Sequence, residues 1–224
     1  MSRSLTHYWV PGMLNEPCAL LDPHGRLMGQ VLVCGTYALA SLHVVSAMDH
    51  PATLPLETGR GSSLCIEVVR TVATDERCDV VILQAAGRPQ PFSLRLADPL
   101  MVKDGDPLLI HAVVRSPDGA RADFKLTTVA SRVCEVVEVQ RYNYRAASGQ
   151  VVELCGVLVL LLDDMFAPGW SGAPVYDAVS GALYGFLHGN TVVGGGAGIC
   201  LLPDANSPVW RLLRQHGKGG DVCN

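Results

Sequence analysis

The chain has 224 residues, 49% of them hydrophobic and 17% charged, with 17 basic against 21 acidic side chains and a net charge of −4. That is enough apolar material for a substantial core and about the length of one compact two-lobed unit, and the acidic excess leaves no basic footprint for a nucleic-acid partner. The longest apolar run, Leu154 to Leu162, has about half of the ~20 residues that span a bilayer and ends at Asp163 and Asp164, which argues against a membrane segment.

Taken in chain order, Met1 to Trp9 lacks the apolar stretch of a secretory signal, and Pro11 and Asn15 soon interrupt the chain that follows. A non-exported, cytoplasmic protein is the expectation. Short apolar or alternating segments then recur between Gly, Pro, Asp and Asn, the pattern of an all-β protein. Strands are expected at Gly29 to Cys34, Ala38 to Leu42, Cys65 to Ala73, Val80 to Gln84, Pro107 to Val114, Phe124 to Val133, Glu135 to Gln140, Val151 to Leu162, Ala173 to Tyr176, Ala182 to His188 and Gly198 to Leu202. Between two of these, Arg141 to Gln150 reads as a long hairpin loop. One helix is expected, at the end: Ser207 suits its N-cap, Pro208 the first helical position and Gly217 the residue beyond its C-terminus. The eight cysteines contain no CxxC pair, and Cys34, Cys155 and Cys200 fall in apolar strand-like runs, so reduced core thiols are expected, with no bound metal and no cofactor.

The chemistry-bearing stretch is Pro168-Gly169-Trp170-Ser171-Gly172-Ala173-Pro174. Glycines on both sides of Ser171 permit a sharp turn that exposes its hydroxyl, and the backbone N–H groups of Gly169 and Ser171 can point into one pocket, where they would hold the negative oxygen of a tetrahedral acyl intermediate. A nucleophile of this kind needs a base and a carboxylate to orient it. His43, in Ala40-Ser41-Leu42-His43-Val44-Val45, and Asp79, in Cys78-Asp79-Val80-Val81-Ile82-Leu83, supply them in the order His, Asp, Ser.

That order and those local contexts resemble the chymotrypsin-like, or trypsin-like, serine peptidases, with closer similarity to intracellular HtrA-like and viral members than to pancreatic ones. The resemblance runs from about Gly29 to about Leu213. It implies two six-stranded antiparallel β-barrels, the first over about 17–98 and the second over about 99–205, followed by a short helix over 207–216. It implies a serine endopeptidase with His43 as base, Asp79 as the carboxylate that orients it, Ser171 as nucleophile and the N–H groups of Gly169 and Ser171 as oxyanion hole. A protein or peptide would be the substrate, and a regulatory protein partner fits a protease kept inside a cell.

Three positions depart from the family pattern: Trp170 stands where the family has Asp or Asn, Ala173 replaces a glycine and Leu42 replaces an alanine. Trp170 cannot accept the charge of a freshly cleaved N-terminus, which argues against zymogen activation of the pancreatic kind. Gly185-Phe186-Leu187-His188-Gly189-Asn190 resembles the wall of the specificity pocket in picornaviral 3C-like and glutamyl endopeptidases, so His188 is assigned to substrate binding together with Met165 and Phe166 on the pocket floor. No carboxylate stands at that floor, which disfavours cleavage after basic residues unless Asp163 or Asp164 turns inward. A catalytically inactive peptide-binding relative of the same fold is the competing reading. An α/β-hydrolase is excluded because Ala173 to Tyr176 continues as a strand where that fold needs a long helix.

Overall fold

A computed structural model describes residues 14–48, 51–86, 94–116, 124–145, 151–190, 197–203 and 206–217. Two closed six-stranded antiparallel barrels fill these residues, as the all-β reading expects. The first comprises β1 (Leu14–Leu21), β2 (Leu27–Cys34), β3 (Tyr37–Ser41), β4 (Thr53–Thr58), β5 (Ser63–Asp75) and β6 (Val80–Ala85), with a short helix α1 (Leu42–Ala47) after β3. Its strands run β1-β2-β3-β6-β5-β4 around the ring, and the pairing of Ala19 in β1 with Glu57 in β4 closes it. The second comprises β7 (Pro107–Arg115), β8 (Phe124–Arg145), β9 (Val151–Leu162), β10 (Pro174–Asp177), β11 (Leu183–Asn190) and β12 (Gly198–Leu202), in the order β10-β11-β12-β9-β8-β7, closed where Val175 pairs with Ile110. A second helix, α2 (Pro208–Gly217), ends the described chain and packs back onto β5 and β6 of the first barrel.

Two-sided burial explains why several strands read as unbroken apolar runs. Successive side chains of a strand point to opposite faces. In β2, Val31 and Val33 fill the interior of the first barrel while Leu32 and Cys34 face the seam between the barrels, and β6 divides Val81 and Leu83 from Val80 and Ile82 in the same way. From the other side Val157, Val159, Phe186, Ile199 and Leu201 meet the seam, and Leu160, Leu162, Leu187 and Cys200 fill the second barrel. Val209, Trp210 and Leu213 of α2 complete the seam cluster.

Four features differ from the sequence expectation. β1 and β4 carry Pro17 and Pro55, which mask them as turns, yet both prolines sit in strand register, opposite Leu32 and Cys65. β3 stops at Ser41 and the chain enters α1, so Leu42 is helical rather than extended. Residues 141–145 extend β8 and pair with residues 151–155 of β9, so strand replaces the first half of the expected loop; 146–150 lie outside the described residues. The expected break between Val133 and Glu135 is a register shift inside one 22-residue strand.

Candidate active site

Asp79 ends the turn into β6 with φ 55, the only non-glycine positive φ among the described residues. A backbone conformation this uncommon is kept where the surroundings over-determine it. Here they do. The Asp79 carbonyl accepts the Leu42 N–H at 2.8 Å and its Oδ1 accepts the His43 N–H at 2.9 Å, so the start of α1 is tied to this one residue. Its Oδ2 lies 2.5 Å from His43 Nδ1 and 2.9 Å from His188 Nδ1. The side chains of His43, Asp79 and His188 are 9%, 3% and 3% exposed. Burial pushes the Asp79 carboxyl toward its neutral form, but the hydrogen bonds from His188 and His43, with the charge of both rings, outweigh that and hold it well below the usual carboxylate range.

His188 lies on β11 with its ring edge-on to that of His43, centroids 5.1 Å apart. Its ring, expected at the wall of a specificity pocket, lies beside Asp79, at the register shift between Leu187 and Gly189 in β11. Its carbonyl accepts the hydroxyl of Ser171 at 3.1 Å. One residue thus touches both the carboxylate and the hydroxyl. The potential ligand atoms of His43, Asp79 and His188 fall within 4.8 Å of one another, the one such group among the described residues. The Nδ1 atoms of His43 and His188 both sit at hydrogen-bond distance from a single oxygen, Oδ2 of Asp79.

The loop carrying Ser171 bends twice through the left-handed region, at Gly169 with φ 93 and at Gly172 with φ 88. Between them the N–H of Trp170 bonds to Ala167 O at 3.4 Å, that of Gly172 to Leu187 O at 2.8 Å and that of Ala173 to Trp170 O at 2.9 Å. Among the described residues, the N–H groups of Gly169 and Ser171 have no protein acceptor. Two donors left over in one tight loop are what an anion at that place would use.

The Trp170 ring packs against Phe166, centroids 5.2 Å apart, at the edge of the second barrel's core. Asn190 holds the Phe166 backbone at both ends, accepting its N–H at 2.9 Å and donating to its carbonyl at 2.6 Å. Phe166 is buried, with Gly198 leaving room for its ring, while the Met165 side chain is exposed. Asp163 is exposed and accepts the Cys134 thiol at 2.6 Å, so it does not turn inward. The six cysteines with described side chains are free thiols, and Cys18, Cys34, Cys78 and Cys200 are buried.

No sequence expectation gives a role to the side chains of Asn190 and Gln30. Gln30 is fully buried in β2, and its side chain bonds to Val113 and to Gly169. The signal was a long polar residue inside an apolar strand, which is buried only when its hydrogen bonds are met.

No protein-family model matches the sequence. No curated protein matches it either. Solved structures do. The Rv3671c protease of M. tuberculosis in its active form is 20% identical, superposes with a TM-score of 0.59 and covers 97% of this chain and 92% of its own. The MamO protease domain of Magnetospirillum magneticum is 14% identical, with a TM-score of 0.58 over 92% of this chain and 97% of that one. The HtrA-type protease AlgW, in complex with a decapeptide, is 17% identical, with a TM-score of 0.57 over 91% of this chain and 66% of that one. The fold is that of the chymotrypsin-like serine proteases. His43 and Asp79 come from the first barrel and the loop of Ser171 from the second. The site therefore lies where the two barrels meet. No helix among the described residues is long and apolar enough to cross a membrane.

Proposed function

We propose that this protein is a serine endopeptidase, cytoplasmic and regulated, that hydrolyses peptide bonds through His43, Asp79 and Ser171. The observation that carries the reading is the convergence of residues from separate loops. His43 and Asp79 lie in direct contact, Ser171 joins them through His188, and the serine loop leaves the two N–H groups of Gly169 and Ser171 uncommitted. In the reaction the Ser171 hydroxyl leaves the His188 carbonyl and attacks the scissile carbonyl while His43 Nε2 takes its proton. Asp79 holds the imidazole through Nδ1 and stabilises the imidazolium, and the developing oxyanion accepts the hydrogen bonds of Gly169 and Ser171. His43 then protonates the leaving amine, and a water repeats the sequence on the acyl-enzyme. A peptide substrate is also supported by the peptide complex of the HtrA-type relative.

A second reading is a peptide-binding module without turnover. The engagement of the Ser171 hydroxyl by the His188 carbonyl favours it, because a hydroxyl so held must be released before it can react. Intact-mass measurement after exposure to a fluorophosphonate separates the two. A single adduct on the wild type, absent from Ser171→Ala and His43→Ala, is the outcome expected of the endopeptidase. No adduct on the wild type, with peptide binding retained, would favour the binding module.

A further inference from the structure

We infer that Gln30 is a positioning residue that fixes the serine loop from the opposite barrel, in place of the salt bridge that Trp170 cannot make; the catalytic part of this inference rests on the reading proposed above. Gln30 is fully buried in the middle of β2. Its Oε1 accepts the Val113 N–H at 2.8 Å, and its Nε2 donates to Val113 O at 3.1 Å and to Gly169 O at 2.8 Å. Both amide protons and the amide oxygen are thus used, and all three bonds leave the first barrel. The backbone N–H of Gln30 adds a fourth, to Ser171 O at 2.7 Å. One residue therefore holds the carbonyls at both ends of the dipeptide step from Gly169 to Ser171.

The consequence is local and directional. Fixing the carbonyls of Gly169 and Ser171 toward β2 turns that side of the loop inward, and the two uncommitted N–H groups belong to the same two residues. Trp170 lies between them and is anchored from the second barrel by Phe166. The loop is gripped from both sides without a charge. Val113 lies in β7, so the same amide also joins the barrels at the site. Purely structural roles for a buried glutamine need a partner on neighbouring strands; they do not need a bond into the loop of the nucleophile.

Two variants of the full chain test this. Gln30→Met keeps the length of the side chain and removes all three bonds. Gln30→Glu removes the donors only when the introduced carboxyl is ionised, and burial beside two carbonyls raises its pKa, so at lower pH it still donates once. Hydrogen exchange followed by mass spectrometry reads the loop without any reference to activity. We expect amide exchange in residues 167–173 to quicken about tenfold or more in Gln30→Met while that of β9 is unchanged. Turnover of a peptide substrate should fall about 100-fold in kcat with KM nearly unchanged, the mark of a loop misplaced for the transition state. For Gln30→Glu, the fluorophosphonate labelling rate relative to wild type should recover as pH is lowered, which a packing defect would not do. Should Gln30→Met fail to fold, the exchange and pH ratio of Gln30→Glu carry the test. Loop exchange equal to wild type in the folded variants would overturn the inference. If the wild type takes no adduct, the endopeptidase reading fails, and the exchange comparison still decides whether Gln30 fixes the loop.

Discussion

Burial alone would favour a protonated carboxyl at Asp79, yet two imidazole N–H groups and the His43 backbone N–H converge on its oxygens and keep it ionised. A carboxyl whose folded pKa lies below its unfolded value adds stability that is fully present above the unfolded pKa, about 3.9, and is lost as pH falls through the folded value. The melting-temperature gap between wild type and Asp79→Asn should therefore be widest near neutrality and shrink as pH falls below about 4. A gap that stays constant across that window would mean that Asp79 stabilises the fold through geometry alone. The same substitution leaves His43 without the acceptor that fixes its tautomer, and kcat should drop by about four orders of magnitude. His188 changes what the carboxylate can do, since one oxygen now serves two rings.

The element that depends most on its neighbours is the serine loop, which lies against β2 more closely than any side chain would allow. A Cβ at Gly172 would sit 2.3 Å from the Gln30 carbonyl oxygen, a backbone atom that cannot swing away, and at φ 88. Gly25, at φ 76, has nothing within 4 Å of the same position. The pair separates backbone strain from contact. Gly25→Ala should cost about 1–2 kcal/mol and leave fluorophosphonate labelling intact, whereas Gly172→Ala should cost more in thermal unfolding and abolish labelling, because the loop must move off β2. Equal losses in both would show that strain, not contact, sets the loop.

This dependence also explains what was legible in the sequence. Glycines flanking Ser171, the strand start at Asp79 and the apolar alternation of the barrels are local patterns, and they led to the right fold and to residues that the structure brings together. Gln30, Asn190 and the inward turn of His188 act across 24 to 139 residues of chain separation, and no local period encodes a bond of that range. Pro17 and Pro55 misled in the other direction, since a residue that punctuates most chains here sits in the ladder of a closed barrel.

At the scale of the whole molecule, the site is assembled from both barrels, so its geometry is only as firm as the seam between them. Trp210 lies at the centre of that seam. It is fully buried on α2 amid side chains of both barrels, although α2 follows the second barrel in sequence and packs on the first. The helix thus acts as a strap. Removing a buried Trp side chain costs about 3–5 kcal/mol, a large share of the 5–15 kcal/mol that holds a typical domain folded. Among the described residues the Trp210 Nε1 has no hydrogen-bond partner, a cost that Trp210→Phe removes while keeping most of the ring. Trp210→Phe should therefore be much the milder change. For Trp210→Ala in a urea titration, fluorophosphonate labelling should fail at a lower concentration than the strand signal in circular dichroism, because the barrels separate before either one opens. If the two losses coincide in the variant, the barrels and the strap unfold as one unit, and the seam has no independent control over the site.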